Sequence, residues 1–414
     1  MTAMSDRSFS DIPIVLALPL EHAWGRAMAC GAAVMARQHP GWTIEMVTAT
    51  PVSLARLVRR RPRGLIVPIV SLPQAKACMR LHRRCGTAVV NVGWLLPGVP
   101  FPHVGNDDAA IGHAAAEHLL HCGFVHFGFY GMAGVRMSAL RRAGFAELVE
   151  QAGYRVSAYC QSAPPRTPAG VAPAVMAWLG KLAKPVGIFA DSDPLAYRIA
   201  QTCRVAGLRV PEQVAIVGTD NDRTLCQLAT PPLSSVAVAM ERIGFAAAAR
   251  LARMLDGTDS SVEPLFVPPL GVVARQSSDI TAVEDKDLAG AIRWIRRNAA
   301  RNVGIEELVA ATGLSRSTLQ RRFREILGHT VGAELRWTRL RMAKQLLADT
   351  DLPLGKVARR AGYRRVEYLH DVFHQQNGMT LSGYRRQFRP ILPRQGRAPA
   401  QVRFQAERHQ FGAD

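Results

Sequence analysis

The sequence predicts an α/β domain of two lobes built on doubly wound sheets, followed by an all-helical domain that carries an internal duplication. Three observations predict it. Residues 12–280 alternate short apolar runs with longer amphipathic stretches, the strand signals stop at a polar segment over 281–289, and the helical remainder repeats itself at an offset of 50 residues. At 414 residues the chain has room for two to four domains of roughly 100–200 residues each.

Residues 1–11 read as an N-terminal tail. The runs IPIVLAL (12–18), RGLIVPIV (63–70), TAVVNVG (87–93), HFGFYG (126–131), PVGIFAD (185–191) and QVAIVGTD (213–220) then read as buried parallel strands, rich in β-branched and aromatic residues. Between them, Ala109–Cys122, Ser138–Ala152 and Pro194–Ala206 have helical period. This β-α-β alternation predicts a doubly wound sheet, and about 270 residues of it predict two lobes.

Residues 281–286 read as a linker. From Leu288 to Phe388 the period is helical throughout, broken at Gly313, Gly328, Pro353, Gly362 and Gly378. Gly313 and Gly362 each follow a small helix, and Leu319/Leu369, Phe323/Phe373, Gly328/Gly378 and Thr330/Thr380 then match pairwise. Two copies of helix, glycine turn and second helix predict two helix-turn-helix units within 287–390. The remainder, 391–414, is rich in Pro, Arg and Gln and reads as a disordered tail.

Composition narrows the function. Fifty-two Lys+Arg against 32 Asp+Glu give a net charge of +20, which calls for an anionic partner, nucleic acid first. Residues 291–390 alone hold 20 basic and 8 acidic side chains, whereas residues 1–290 hold 28 and 22. Seven cysteines without a C-x-x-C pair read as a reduced, cytoplasmic chain. The longest apolar run, Ile12–Leu20, is too short to span a bilayer, and Asp6 and Asp11 outweigh Arg7 before it.

Residues 291–389, ending in FHQQNGMTLSGYRRQF, resemble the DNA-binding domain of the AraC/XylS family. Residues 12–280 resemble the sugar-sensing, periplasmic-binding-protein-like part of LacI-type repressors. The phrases that carry this are VGNDDAAIGHAAAEHLLHCGF (104–124), ALRRAGFAEL (139–148), GLRVPEQVAIVGTDND (207–222) and PPLSSVAVAMERIGFAAAARLARMLDG (231–257). About ten residues precede the first strand, so the N-terminal helix-turn-helix of a LacI repressor is not expected. Sensor first and reader last is an order similar to that of xylose-operon regulators. The resemblance implies a transcription regulator, an activator of a pentose operon, that takes a xylose-like sugar, acts as a homodimer, contacts RNA polymerase and needs no cofactor.

The second helix of each unit is expected in a major groove. In SRSTLQRRF (315–323), Leu319 and Phe323 at i and i+4 face the core, which leaves Arg316, Ser317, Thr318, Gln320 and Arg321 outward behind the N-cap Ser315. In RRVEYLHDVF (364–373) the outward set is Arg364, Arg365, Val366, Glu367, His370 and Asp371, where Asp371 departs from the family's usual basic residue. Gln suits adenine, Arg guanine, Glu cytosine and Val the thymine methyl. The two units are expected one turn, about 34 Å, apart along the duplex.

For the sensor, polar residues just after strands count most, because ligands bind at the carboxyl edge of such sheets. Asp220 ends VAIVGTD and Arg141 sits in ALRRAGF; by resemblance both match ligand-holding positions. Asp107 and Asp193 match family motifs whose carboxylates serve either the ligand or a helix cap, and Asp193 before Pro194 has the signature of a cap. Trp94, Tyr130 and Phe189 beside strand ends read either as stacking surfaces for a pyranose or as core.

Two other readings compete. His113, His118, His121 and Cys122 share one helix, but EHLLH lacks the H-E-x-x-H order of zinc proteases. No P-loop, G-x-G-x-x-G after the first strand or G-x-S-x-G elbow is present, so an enzyme is not expected. The alternatives are a transporter's sugar-binding protein, which the basic helical third opposes, and a sugar enzyme on the same scaffold, which incubation with candidate sugars would reveal by a product.

Overall fold

The computed structural model describes residues 11–93, 96, 98–162, 173–278, 285–301, 303–327, 329–377 and 380–388. The expected tails (apart from Asp11), most of the linker, Trp94, Gly328 and Gly378 lie outside these residues.

The first lobe comprises β1 (Ile12–Leu16), α1 (Ala23–Ala36), β2 (Trp42–Met46), α2 (Pro51–Arg56), β3 (Gly64–Val67), α3 (Leu72–Cys85) and β4 (Ala88–Asn91), in a parallel sheet of order β2-β1-β3-β4. β5 (Val104–Asn106) then carries the chain into the second lobe. There α4 (Asp108–His121), β6 (His126–Met132), α5 (Arg136–Gln151), β7 (Val156–Gln161), α6 (Pro173–Lys181), β8 (Val186–Ala190), α7 (Asp193–Val205), β9 (Val214–Thr219), α8 (Arg223–Leu228) and β10 (Ser234–Ala237) wind a second sheet. Its parallel strands lie in the order β10-β9-β8-β6-β7. α9 (Met240–Leu255) returns to pack on α1, β11 (Leu265–Val267) pairs with β5, and β12 (Gly271–Val273) closes the second sheet antiparallel to β10.

All six predicted strands and the three predicted sensor helices form, with ends shifted by one or a few residues. The strands that the sequence did not announce are instructive. β2 and β7 are edge strands whose exposed faces dilute the apolar run. β10 reads SSVA, yet Ser234 and Ser235 are fully buried because other buried groups consume their hydroxyls.

Close packing of α4 on α5 brings the site together. A Cβ at Gly112 would collide with the carbonyl of Arg141, and one at Gly144 with that of Ala109. Glycine at both positions therefore lets the two helices meet backbone to backbone, with Asp108 at the start of α4 beside Arg141 of α5.

The helical part holds α10 (Lys286–Asn298), α11 (Ile305–Thr312), α12 (Arg316–Leu327), α13 (Val331–Asp349), α14 (Leu354–Arg360), α15 (Val366–Asn377) and α16 (Leu381–Phe388). The predicted repeat is visible as two cores. Leu319 and Phe323 pack with Leu288, Ile292, Ile295 and Leu308, while Leu369 and Phe373 pack with Leu347, Val357, Leu381 and Tyr384. Gly313 after α11 and Gly362 after α14 have φ of 69° and 84°, left-handed values that glycine adopts without strain.

Candidate functional site

The carboxyl ends of β6, β8 and β9 converge on one buried polar cluster. Arg141, 1% exposed, donates from Nε to Asp108 Oδ1 at 2.9 Å and from a terminal nitrogen to the Asp191 carbonyl. Asp191 directly follows β8, and its carboxylate accepts from the Met132 N–H at 3.0 Å. Asp220 directly follows β9, within electrostatic reach of Arg141, Asp191 and Asp108. One arginine thus pairs with the Asp108 carboxylate, holds the Asp191 main chain and lies within electrostatic reach of Asp220.

Burial is the largest cause that pushes the Asp220 carboxyl up to about 6; Arg141 opposes it, and Asp191, Asp108 and Asp222 reinforce it. Asp220 and Asn221 both hold positive φ, 103° and 53°. Such backbone in a non-glycine residue costs of order 1–3 kcal/mol and persists only where the surrounding structure holds it. Among the described residues the Asp220 carboxylate accepts no hydrogen bond, so its acceptors are unspent.

The other two predicted carboxylates are spent. Asp107 accepts from the Ala110 N–H at 3.0 Å and is the N-cap of α4. Asp193 is wholly buried but does not cap α7, whose N-cap is Ser192. Instead it accepts from Ser235 Oγ at 2.6 Å and the Asp222 N–H at 2.7 Å, bracing the loop that carries Asp220. Burial, and then the Asp220 charge, push Asp193 up to about 7 against those hydrogen bonds. The sequence reading missed Asp108 and Asp191. The strand-end rule held the signal for Asp191, since it follows its strand two residues before Asp193.

Beside the cluster, a cleft of about 810 Å³ opens between Val70–Leu72 and Leu96 of the first lobe and Met132–Arg136, Ser138 and Arg142 of the second. None of the four predicted ligand residues lines it. Ser138 joins the two regions: it lines the cleft, is one turn from Arg141, and binds the Met132 N–H that Asp191 also takes. Tyr130 and Phe189 are fully buried in the cores of the second lobe and offer no stacking face, and Trp94 lies outside the described residues.

On the reader, Arg316, Ser317, Gln320 and Arg321 of the first unit and Arg364, Arg365, Glu367, His370 and Asp371 of the second are exposed. Thr318 is half-buried, its hydroxyl 2.8 Å from that of the N-cap Ser315, and Val366 packs against the second core. Arg316 and Arg321 form exposed ion pairs with Glu306 and Glu325, 3.3 and 2.8 Å long, which are too weak to withhold either from a partner.

The helix that begins at the polar cluster ends at the reader. His118 of α4 is buried, bonded to Ser278 Oγ at 2.7 Å, and burial, then Arg341 and Arg296, hold its imidazole well below the ordinary value. His121 packs edge-on against Trp337 of α13 with ring centres 4.4 Å apart. Arg275 bonds Asn221 at 2.6 Å and its backbone shares Ser234 with Ser278, which links the Asp220 loop to the same place. His113 pairs with Glu147, so the predicted histidine set points in three directions, and among the described residues no group of three such side chains is placed to hold a metal. Nor is any described helix long and apolar enough to cross a membrane.

Known proteins place the chain. Residues 116–278 match the periplasmic binding protein-like domain, and residues 308–387 match a helix-turn-helix domain. The xylose operon regulatory protein of Escherichia coli K12 is 31% identical over 69% of this chain and 74% of its own length; that of Haemophilus influenzae Rd is 29% identical over 69% and 75%. The structure of the xylose-binding transcription activator xylR aligns over 91% of this chain and 98% of that one, at 27% identity and a TM-score of 0.57. With a two-lobed sensor ahead of a double helix-turn-helix reader, the chain belongs to the family of xylose operon regulatory proteins, the AraC-type transcription regulators with a LacI-like sensor.

Proposed function

We propose that this protein binds a xylose-like pentose at the Arg141–Asp220 cluster and turns that event into a change in how α12 and α15 engage operator DNA. The observation that carries the reading is the Asp220 carboxylate: half-buried, at the carboxyl edge of β9, opposite Arg141, with its acceptors unspent. A carboxylate accepts from two vicinal hydroxyls at once, and a guanidinium donates to another, so the pair reads a sugar's stereochemistry. The names of the relatives put xylose first among candidates. In this reading residues 12–280 form the sensor and residues 287–390 the reader, and the protein acts as a dimeric activator that contacts RNA polymerase. Because the two sites are linked through α4 and Ser278, operator binding alters sugar affinity by the factor by which sugar alters operator binding.

Asp220→Asn tests the sugar site. It keeps the shape but turns one acceptor into a donor, and the mismatch costs about 1–3 kcal/mol, roughly tenfold to a hundredfold in affinity. Calorimetric titration with xylose is expected to show that loss while basal DNA binding stays. Unchanged sugar affinity would move the site elsewhere, towards the neighbouring cleft. The pH profile gives a second check. Raised folded-state values mean that the folded chain retains protons the unfolded chain has released. Asp220 and Asp193 therefore contribute stability that is complete below about pH 4 and is lost as pH rises through 6 and 7. A sugar that needs ionised Asp220 is expected to bind more tightly as pH rises through that window, with release of a proton.

For the reader, Arg321→Ala is expected to cost about 1–3 kcal/mol at one base position and to relax preference there, whereas Arg364→Ala, at the mouth of α15, weakens all sequences alike. Binding of Arg321→Ala to a panel of single-base operator variants decides it: equal losses on operator and random DNA remove Arg321 from the base readers.

A further inference from the structure

The sensor carries a strongly basic face that neither the sugar site nor the reader uses. Between Met46 and Asn106 the chain has nine Lys and Arg residues and not one Asp or Glu; elsewhere the first 290 residues hold 19 basic and 22 acidic side chains. All nine are exposed: Arg56, Arg59, Arg60, Arg61, Arg63, Lys76, Arg80, Arg83 and Arg84. The fold gathers them. Ala75, Ala77, Cys78 and Leu81 bury the inner side of α3 in the same core as Leu54 and Leu57, and Cys85 Sγ meets the Val58 carbonyl at 3.6 Å. The C-terminal end of α3 therefore abuts the turn at Leu57–Arg59 that precedes the Arg60–Arg63 segment.

An ordinary solvated helix face mixes both signs. Here Lys76, Arg80, Arg83 and Arg84 follow one another at i, i+4, i+7 and i+8, a row about 12 Å long, and they surround a shallow depression with Met79 at its floor. Arg83 and Arg84 favour the negative C-terminal end of their own helix, but Lys76 and Arg80 lie beyond that effect. Arg60 pairs with Glu45; among the described residues the other eight make no ion pair or side-chain hydrogen bond. Like charges so close raise the energy of the free protein, and a polyanion relieves it.

We infer that this α3 face is a second DNA-contacting surface, which grips sugar-phosphate backbone beside the segment read by α12 and α15. The inference rests on the DNA-binding reading above and extends it to the sensor. DNA is the partner that the observations favour over an acidic protein for two reasons. Eight of the nine cations are arginines, whose planar forks fit phosphate oxygens in pairs. The reader on the same chain also holds a duplex at high effective concentration, with one charge per about 3.4 Å along each strand, so that a 12 Å row spans about three or four phosphates of the backbone it follows.

The test uses the full chain carrying Arg80→Gln, Arg83→Gln and Arg84→Gln together, with the corresponding triple Arg→Lys variant beside it. Affinity for a random-sequence duplex and for operator DNA is measured against salt concentration, and xylose binding by calorimetry reports that the sensor is intact. Each phosphate neutralised contributes about 0.9 to the log–log slope, so the Gln triple is expected to lower the slope by about 2–3 and affinity at least about tenfold, with the Lys triple close to wild type. An unchanged slope in the Gln triple overturns the proposal. If transcription with RNA polymerase then falls at unchanged DNA affinity, an acidic protein surface is the partner instead. Equal losses in the Gln and Lys triples overturn it too, since charge would not be the cause. If the wild-type chain binds neither duplex at any salt, the DNA-binding reading itself falls and takes this proposal with it.

Discussion

Arg141→Ala is expected to abolish the response to sugar and to destabilise the sensor by about 3–5 kcal/mol, the cost of removing one partner from a buried ion pair. The guanidinium is 1% exposed and is the cation that touches Asp108 and the Asp191 carbonyl, with Asp220 in electrostatic reach. Without it, three carboxylates face one another, and their protonation is expected to move the stability optimum of the variant to lower pH. Because Arg141 also holds α5 against α4, the loss is read in two ways. Chemical denaturation reports the stability change, and calorimetric titration of the folded fraction reports sugar affinity. That affinity is expected to fall by at least about a hundredfold, because the charge-assisted hydrogen bond and the geometry it imposes disappear together. A variant of near wild-type stability that still binds xylose would show that the cluster is neither the site nor its frame.

Phe373→Ala is expected to cost about 3–5 kcal/mol and to silence the second reading unit while sparing the sensor. The ring is fully buried among Leu347, Val357, Leu369 and Leu381 and meets Tyr384 edge-on with centres 5.1 Å apart. Its loss opens a cavity beneath α15, whose orientation decides where Arg365 and Glu367 point. The core around Phe323 under α12 is separate, so the variant is expected to keep the base preferences of the first half-site and lose those of the second. Operator footprinting checks this directly. Loss of protection over both halves at once would mean that the two cores fold as one unit, coupled through α13.

Much of this architecture was legible before any coordinates, and the residues show why. The repeated pairs Leu319/Phe323 and Leu369/Phe373 define a face at i and i+4, and one buried stripe leaves the opposite stripe to solvent. The six apolar runs became strands because fully buried parallel strands need unbroken apolar residues, a demand that each satisfies locally. β10 escaped notice because its burial is polar: Ser234 and Ser235 are tolerated inside only through partners 40 or so residues away, which no local pattern announces.

The sensor's acids divide along the same line. That Asp220 ends a strand at the carboxyl edge of the sheet follows from the sequence alone, since strand direction and length fix which residue emerges there. What Asp107, Asp193 and Asp108 do was decided by tertiary structure. Asp107 spends its oxygen on the start of α4, Asp193 spends both on Ser235 and the Asp222 backbone, and Asp108 meets Arg141 only because Gly112 and Gly144 let two helices touch. A carboxylate's role depends on which donors reach it first. Local periodicity determines elements, but the donors come from segments tens of residues away, so only the packed chain could assign them.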